Sequence, residues 1–60
     1  MENLRAARKK RGLSVNELAE RVGVSEATIS RYETGDREMP VRMARKIARV
    51  LKVKWWKLYN

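Results

Sequence analysis

The segment Ser14-Val15-Asn16-Glu17-Leu18-Ala19-Glu20-Arg21-Val22-Gly23-Val24-Ser25-Glu26-Ala27-Thr28-Ile29-Ser30-Arg31-Tyr32-Glu33-Thr34 contains two short helices and the turn between them. Ser14, with Glu17 three residues later, is a capping box in which hydroxyl and carboxylate each take one orphan backbone amide. Val15, Leu18, Ala19 and Val22 then recur at i, i+3, i+4 and i+7, the apolar stripe of a short helix. Gly23 follows, where a helix commonly ends in a left-handed residue that glycine adopts cheaply. Ser25 is placed to cap a second helix, with Ile29 and Tyr32 three apart on one face. Ala19 is small enough to let that second helix cross closely at a steep angle.

Two helices joined in this way resemble the helix-turn-helix of the lambda-repressor/Cro-like (XRE) family. Leu18, Ala19, Val22, Gly23, Val24, Ile29 and Tyr32 all fall where that family has apolar or small residues. Leu4-Arg5 and Arg8 resemble its first-helix pattern, Glu33-Thr34-Gly35 its corner after the third helix, and Ala48-Arg49-Val50-Leu51 its fourth helix. The resemblance covers nearly the whole chain. It implies an all-α fold of five helices, over about 2–11, 15–22, 25–33, 40–51 and 54–59, with the helix-turn-helix at the second and third.

Composition agrees with that fold and narrows the function. Sixty residues make one domain, near the lower limit for folding without staples. Cysteine and histidine are absent, so neither disulfides nor the usual zinc ligands are available, and no cofactor is expected. No glycine-rich phosphate loop or paired carboxylate suggests catalysis, so the chain is not read as an enzyme. No apolar run approaches a membrane span and no signal peptide is evident, so a cytoplasmic protein is expected. With Asn60 directly after the expected fifth helix, no small-molecule effector domain is expected.

The formal charge of +8 is unevenly spread. Residues 1–11 carry five bases and one acid, residues 14–38 three bases and six acids, and residues 40–60 seven bases and no acid. A basic total suits a polyanion such as double-stranded DNA. The acidic middle holds the helix that the resemblance assigns to recognition, which argues for modest affinity per copy.

Outside the central segment, Leu4 and Ala7 are expected to face inward, with Gly12 as a left-handed stop and Leu13 as a hydrophobic staple. Pro40 suits the first turn of the fourth helix, although Met39 and Pro40 leave that start poorly capped. At about 100° per residue, Val41, Ala44, Ile47, Ala48 and Leu51 form its core face. Arg42, Arg45, Arg49 and Lys52 form one flank, open to two readings: a solvated face, or an auxiliary phosphate contact. Val53, Trp55 and Leu58 occupy positions that the family buries.

The resemblance places the N-terminal half of the third helix in the major groove, with Glu26, Ala27, Thr28 and Arg31 as candidate base contacts. Arg31 suits bidentate contact with guanine, and Thr28 a base, a phosphate or a thymine methyl. Ala27 offers an apolar contact only. Glu26 either accepts from cytosine or merely opposes phosphate. Ser14, Asn16, Ser25 and Thr34 are the polar side chains assigned to phosphate near helix N-termini, with Ser30 and Arg37 as further candidates. Val15 stands where the family commonly has a glutamine clamp.

By position, Arg8 and Glu33 resemble the family's ion pair linking the first helix to the end of the third, which implies a structural role for both. Met43, Val50, Trp56 and Tyr59 are expected to form a small apolar dimer contact near the C-terminus, in a weak homodimer formed mainly on DNA. The resulting expectation is a sequence-specific transcriptional regulator, a repressor, bound as a dimer to a roughly palindromic operator. The competing reading is an antitoxin or accessory module that acts mainly through a protein partner.

Overall fold

A computed structural model describes residues 2–59. Among them are four α-helices, α1 (Glu2–Lys10), α2 (Val15–Val22), α3 (Glu26–Thr34) and α4 (Val41–Leu51), and a 3-10 turn, Trp55–Leu58. The fifth expected helix is therefore one 3-10 turn. Its period of about three residues brings Trp55 and Leu58 to the same side, and only those two side chains need to reach inward.

The ends of the central helices follow from their local chemistry. Ser14 Oγ accepts from the Glu17 amide at 3.0 Å, while Glu17 Oε1 accepts from the Ser14 amide at 2.8 Å. Ser25 Oγ accepts from the Thr28 amide at 3.1 Å and opens α3. Between them Gly23 has φ 87°, and its amide donates to the Ala19 carbonyl. A Cβ on Gly23 would meet open space, so the demand for glycine comes from the backbone angle and not from close packing. Pro40 starts α4 with no side-chain cap. Lys52 ends α4 at φ 59°, ψ 45°, a left-handed conformation that a non-glycine residue adopts at a cost.

The core draws on every element. Leu4, Leu18, Ile29, Ile47, Leu51 and Leu58 are fully buried, with Ala19, Val22, Tyr32, Met39, Ala44 and Ala48 nearly so. α3 packs on α1 and α2, whereas α4 packs on α2 and the 3-10 turn. Two expectations fail at the ends of α4. Val41 is 48% exposed, because it opens the helix at the edge of the sector that Ala44, Ile47, Ala48 and Leu51 bury. Val53 is 37% exposed, because the left-handed Lys52 turns the chain before the 3-10 turn re-enters the core. Met39 takes the inward place ahead of Pro40, and the Tyr59 hydroxyl donates to its carbonyl. A further bond joins α1 to the residue after the 3-10 turn, from Asn3 Nδ2 to the Tyr59 carbonyl.

A charged group also sits within this small interior. The Glu33 carboxylate accepts from Arg8 Nε at 2.6 Å and from Arg8 Nη2 at 3.2 Å. Arg8 Nη1 donates to the Leu13 carbonyl at 2.8 Å, so one guanidinium joins α1, α3 and the loop before α2. Both residues are buried, at 8% and 5% exposure, so the pair is shielded from solvent screening. Arg5 Nε lies 3.5 Å from the same carboxylate, but its side chain is 46% exposed and contributes little.

Three outcomes follow for stability. Glu33→Ala leaves Arg8 buried without its counter-ion and should destabilise by about 3 kcal/mol or more, whereas Arg5→Ala should cost less than about 1 kcal/mol. Urea unfolding of these variants, with an Arg8–Glu33 double-mutant cycle, measures the difference, and coupling within error of zero would contradict the role assigned to the pair. Lys52→Gly should stabilise by about 0.5–1 kcal/mol, since it relieves the left-handed strain at an exposed side chain. The third outcome concerns acid. The Glu17 carboxyl is held below its ordinary value chiefly by the Ser14 amide, then by the Ser14 hydroxyl, with Arg21 adding to the effect. A depressed folded-state pKa gives a contribution that is complete above the unfolded value and lost as pH falls through the folded one. The stability advantage of the wild type over Glu17→Gln should therefore narrow on acidification below pH 4.5, as followed by thermal melts.

Candidate nucleic-acid interface

α3 turns Ile29, Tyr32 and Glu33 into the protein, which decides what its other side presents. At about 100° per residue, Ala27, Ser30, Arg31 and Thr34 lie opposite that buried sector, and all four are exposed. Glu26 is exposed in the first turn, toward one edge. The outer face of α3 is thus narrow and polar, with one small apolar residue. Among the described residues, no hydrogen bond or ion pair engages the Arg31 guanidinium, so its five donors are free.

Thr28 is placed differently from its neighbours. It is half-buried at the other edge of α3, and its hydroxyl lies 2.8 Å from Ser25 Oγ. Ser25 already accepts from the Thr28 amide, so the two hydroxyls form a closed local pair at the helix start. The Ser25–Thr28 spacing, three apart across a helix N-terminus, was the signal for this pairing.

The phosphate candidates also divide. At α2 the N-terminal amides of Val15 and Asn16 remain available by helix geometry, and Asn16 is exposed beside them. The Glu17 carboxylate, however, occupies the same end through the capping box, and its charge opposes an incoming phosphate. Thr34 does not stand near a helix N-terminus. It is the last residue of α3, where its hydroxyl donates to the Arg31 carbonyl at 3.2 Å and accepts from the Asp36 amide at 3.4 Å. Ser30 is exposed on α3, and Arg37 is exposed in the connection after it.

Of the four side chains expected to form a dimer contact, Met43 and Trp56 line adjoining depressions along α4, whereas Val50 and Tyr59 line neither. Met43 and Val50 are half-buried and pack on their own core. Tyr59 is half-buried, edge-on to Trp55 at 6.2 Å, and its phenol is pushed above its ordinary pKa by burial, with Glu38 and Tyr32 adding to the effect. Trp56 alone is well exposed, at 55%. It shares a surface depression with Arg45, Arg49 and Lys54, about 100° or more around α4 from Val50. The 3-10 turn sets Trp56 edge-on to Trp55, with ring centres 5.7 Å apart, on the basic flank.

No helix among the described residues is long and apolar enough to cross a membrane. The helix-turn-helix family profile matches residues 4–55. A transcriptional regulatory protein of the helix-turn-helix type from Pyrobaculum aerophilum is 46% identical over 46 residues, covering 77% of this chain and 18% of that protein. The helix-turn-helix transcriptional repressor RghR of Bacillus subtilis is 49% identical over 53 residues, 87% of this chain and 39% of its own length. An uncharacterised Bacillus subtilis regulator of the same type, RghRB, is 47% identical over 53 residues, 87% of this chain and 38% of its own. The matched stretch therefore spans less than two-fifths of each relative. No solved structure matches the chain. The capped helix pair around a left-handed glycine, the match over residues 4–55 and these regulators together place the chain in the XRE-type helix-turn-helix family, a family of regulators and not of enzymes.

Proposed function

We propose that the chain binds duplex DNA with sequence preference and represses transcription by occupying an operator. The observation that carries this reading is the outer face of α3, where the unengaged Arg31 stands beside Ala27 and Ser30 on a helix that two caps and a buried ion pair hold rigidly. A rigid helix with one free guanidinium and small neighbours can enter a major groove about 12 Å wide. The repressor sense draws on the name of one relative, RghR. Arg31 reads guanine, Ala27 packs against a thymine methyl, and Thr28 adds its methyl at the edge. Glu26 sets either a cytosine contact or a limit on phosphate approach. Ser14, Asn16, Ser25, Ser30 and Arg37 position the backbone, with Thr34 supporting the end of α3.

Two copies read the halves of a roughly two-fold site about 10 base pairs, or a multiple of that, apart. Contact between them is weak and is completed on DNA, because Met43, Val50 and Tyr59 are mostly committed to their own core.

Selection from random duplexes should return a two-fold symmetric consensus whose binding weakens steeply with salt. An asymmetric or random consensus would overturn the dimeric operator. Arg31→Ala should cost about 1–3 kcal/mol on the selected site and relax one base position. A similar loss on all sequences would reassign Arg31 to phosphate. Glu26→Gln distinguishes its two roles: a general rise in affinity marks repulsion of phosphate, and an altered base preference marks readout.

A further inference from the structure

The exposed large hydrophobic residues among the described ones are Val41, Val53 and Trp56, and all three edge one basic surface. Val41 lines a shallow depression with Arg42, Arg45, Lys46 and Arg49. Val53 and Trp56 line a second depression with Arg45, Arg49 and Lys54, so the two share a pair of arginines and form one continuous strip along α4. No acid occurs between residues 40 and 60, and no ion pair engages these cations among the described residues. Arg45 stands 6.0 Å from the centre of the Trp55 ring, and Lys54 stands 5.4 Å from that of Trp56.

We propose that this strip is a docking surface for an acidic amphipathic helix of another protein, bound separately from duplex DNA on α3. Charge and spacing select that occupant. Arg42, Arg45, Lys46 and Arg49 recur at i, i+3, i+4 and i+7, so their charges repeat with the helical pitch of about 5.4 Å. A partner helix with carboxylates at the same spacing meets them turn by turn. Val41 at one end and Trp56 with Val53 at the other supply apolar anchorage flanking the charges, in the aromatic- and arginine-rich composition of protein-binding sites.

Single-stranded nucleic acid fits less well. It needs successive exposed aromatic faces, whereas Trp55 is half-buried, Lys54 stands over Trp56, and the valines offer nothing to stack on. A second copy docked through the same strip would set these cations against themselves, since a two-fold contact is self-facing.

The test uses a dye-labelled synthetic peptide of roughly 15 residues, about 22 Å long as a helix, with glutamates at this spacing and leucines at both ends. Fluorescence anisotropy should show saturable binding to the wild-type chain. Arg45→Glu with Arg49→Glu, and separately Trp56→Ala, should each weaken it roughly tenfold or more while the unfolding midpoint stays in place. If Trp56→Ala lowers that midpoint, Val41→Ser and Val53→Ser at exposed positions report the apolar contribution instead. Arg31→Ala should leave peptide affinity unchanged, and the Arg45/Arg49 variant should leave the selected duplex consensus unchanged, so this surface and the α3 reading can fail independently. No binding overturns the proposal, as does equal binding of a control peptide with serines in place of the leucines. Tighter binding of oligothymidylate would make the strip a nucleic-acid surface, and sedimentation showing self-association lost in Trp56→Ala would make it a contact between copies.

Discussion

The bearing of α3 depends on the carboxylate at its inner edge. α3 contributes only Ile29 and Tyr32 to the apolar interior, which is little with which to fix the angle of a nine-residue helix. Glu33 supplies what those two lack, since its bonds to Arg8 are directional where apolar packing is not. Arg8 then carries the constraint onward through the Leu13 carbonyl to the loop that launches α2. Well-packed apolar side chains of similar volume often equal a buried ion pair in stability. Replacing this one would give up the directional bonds that orient α3.

Much of this arrangement was legible because its signals are local. The capping box, the Gly23 stop and the inward spacing of Leu18, Val22, Ile29 and Tyr32 each depend on a few neighbouring residues. The ends of α4 were not legible, because they depend on how the chain returns to the core. Whether Val41 or Met39 is buried turns on where α4 begins relative to α2, and a run of alternating polar and apolar residues does not report that. The fate of Val53 likewise hangs on a left-handed Lys52, a residue type that gives no hint of such a backbone.

The candidate site shows the same division. Helical angle alone places Arg31, Ala27 and Ser30 on the outer face of α3. It does not reveal that the hydroxyls of Thr28 and Thr34 are spent on local partners, which only the geometry of the helix ends makes plain. Arg5 was also missed at Glu33, although it precedes Arg8 by three residues and so shares its face of α1.

The uneven charge has a consequence for how the two surfaces work together. Protein charges are screened over about 8 Å at physiological ionic strength, while the domain extends 23 × 22 × 19 Å. Cations of α4 that stand farther than the screening length from the outer face of α3 add little to the strength of contacts made there, although their field still speeds encounter with any polyanion at low salt. On the proposed reading, affinity at α3 comes from Arg31, the free helix amides and the few hydroxyls there, against the opposition of Glu17 and Glu26. A chain that needed only DNA affinity would gain more from cations on α3 than on α4. Their concentration beside Trp56 and Val41 fits a ligand that offers carboxylates and apolar side chains together, whereas the backbone of duplex DNA offers only charge.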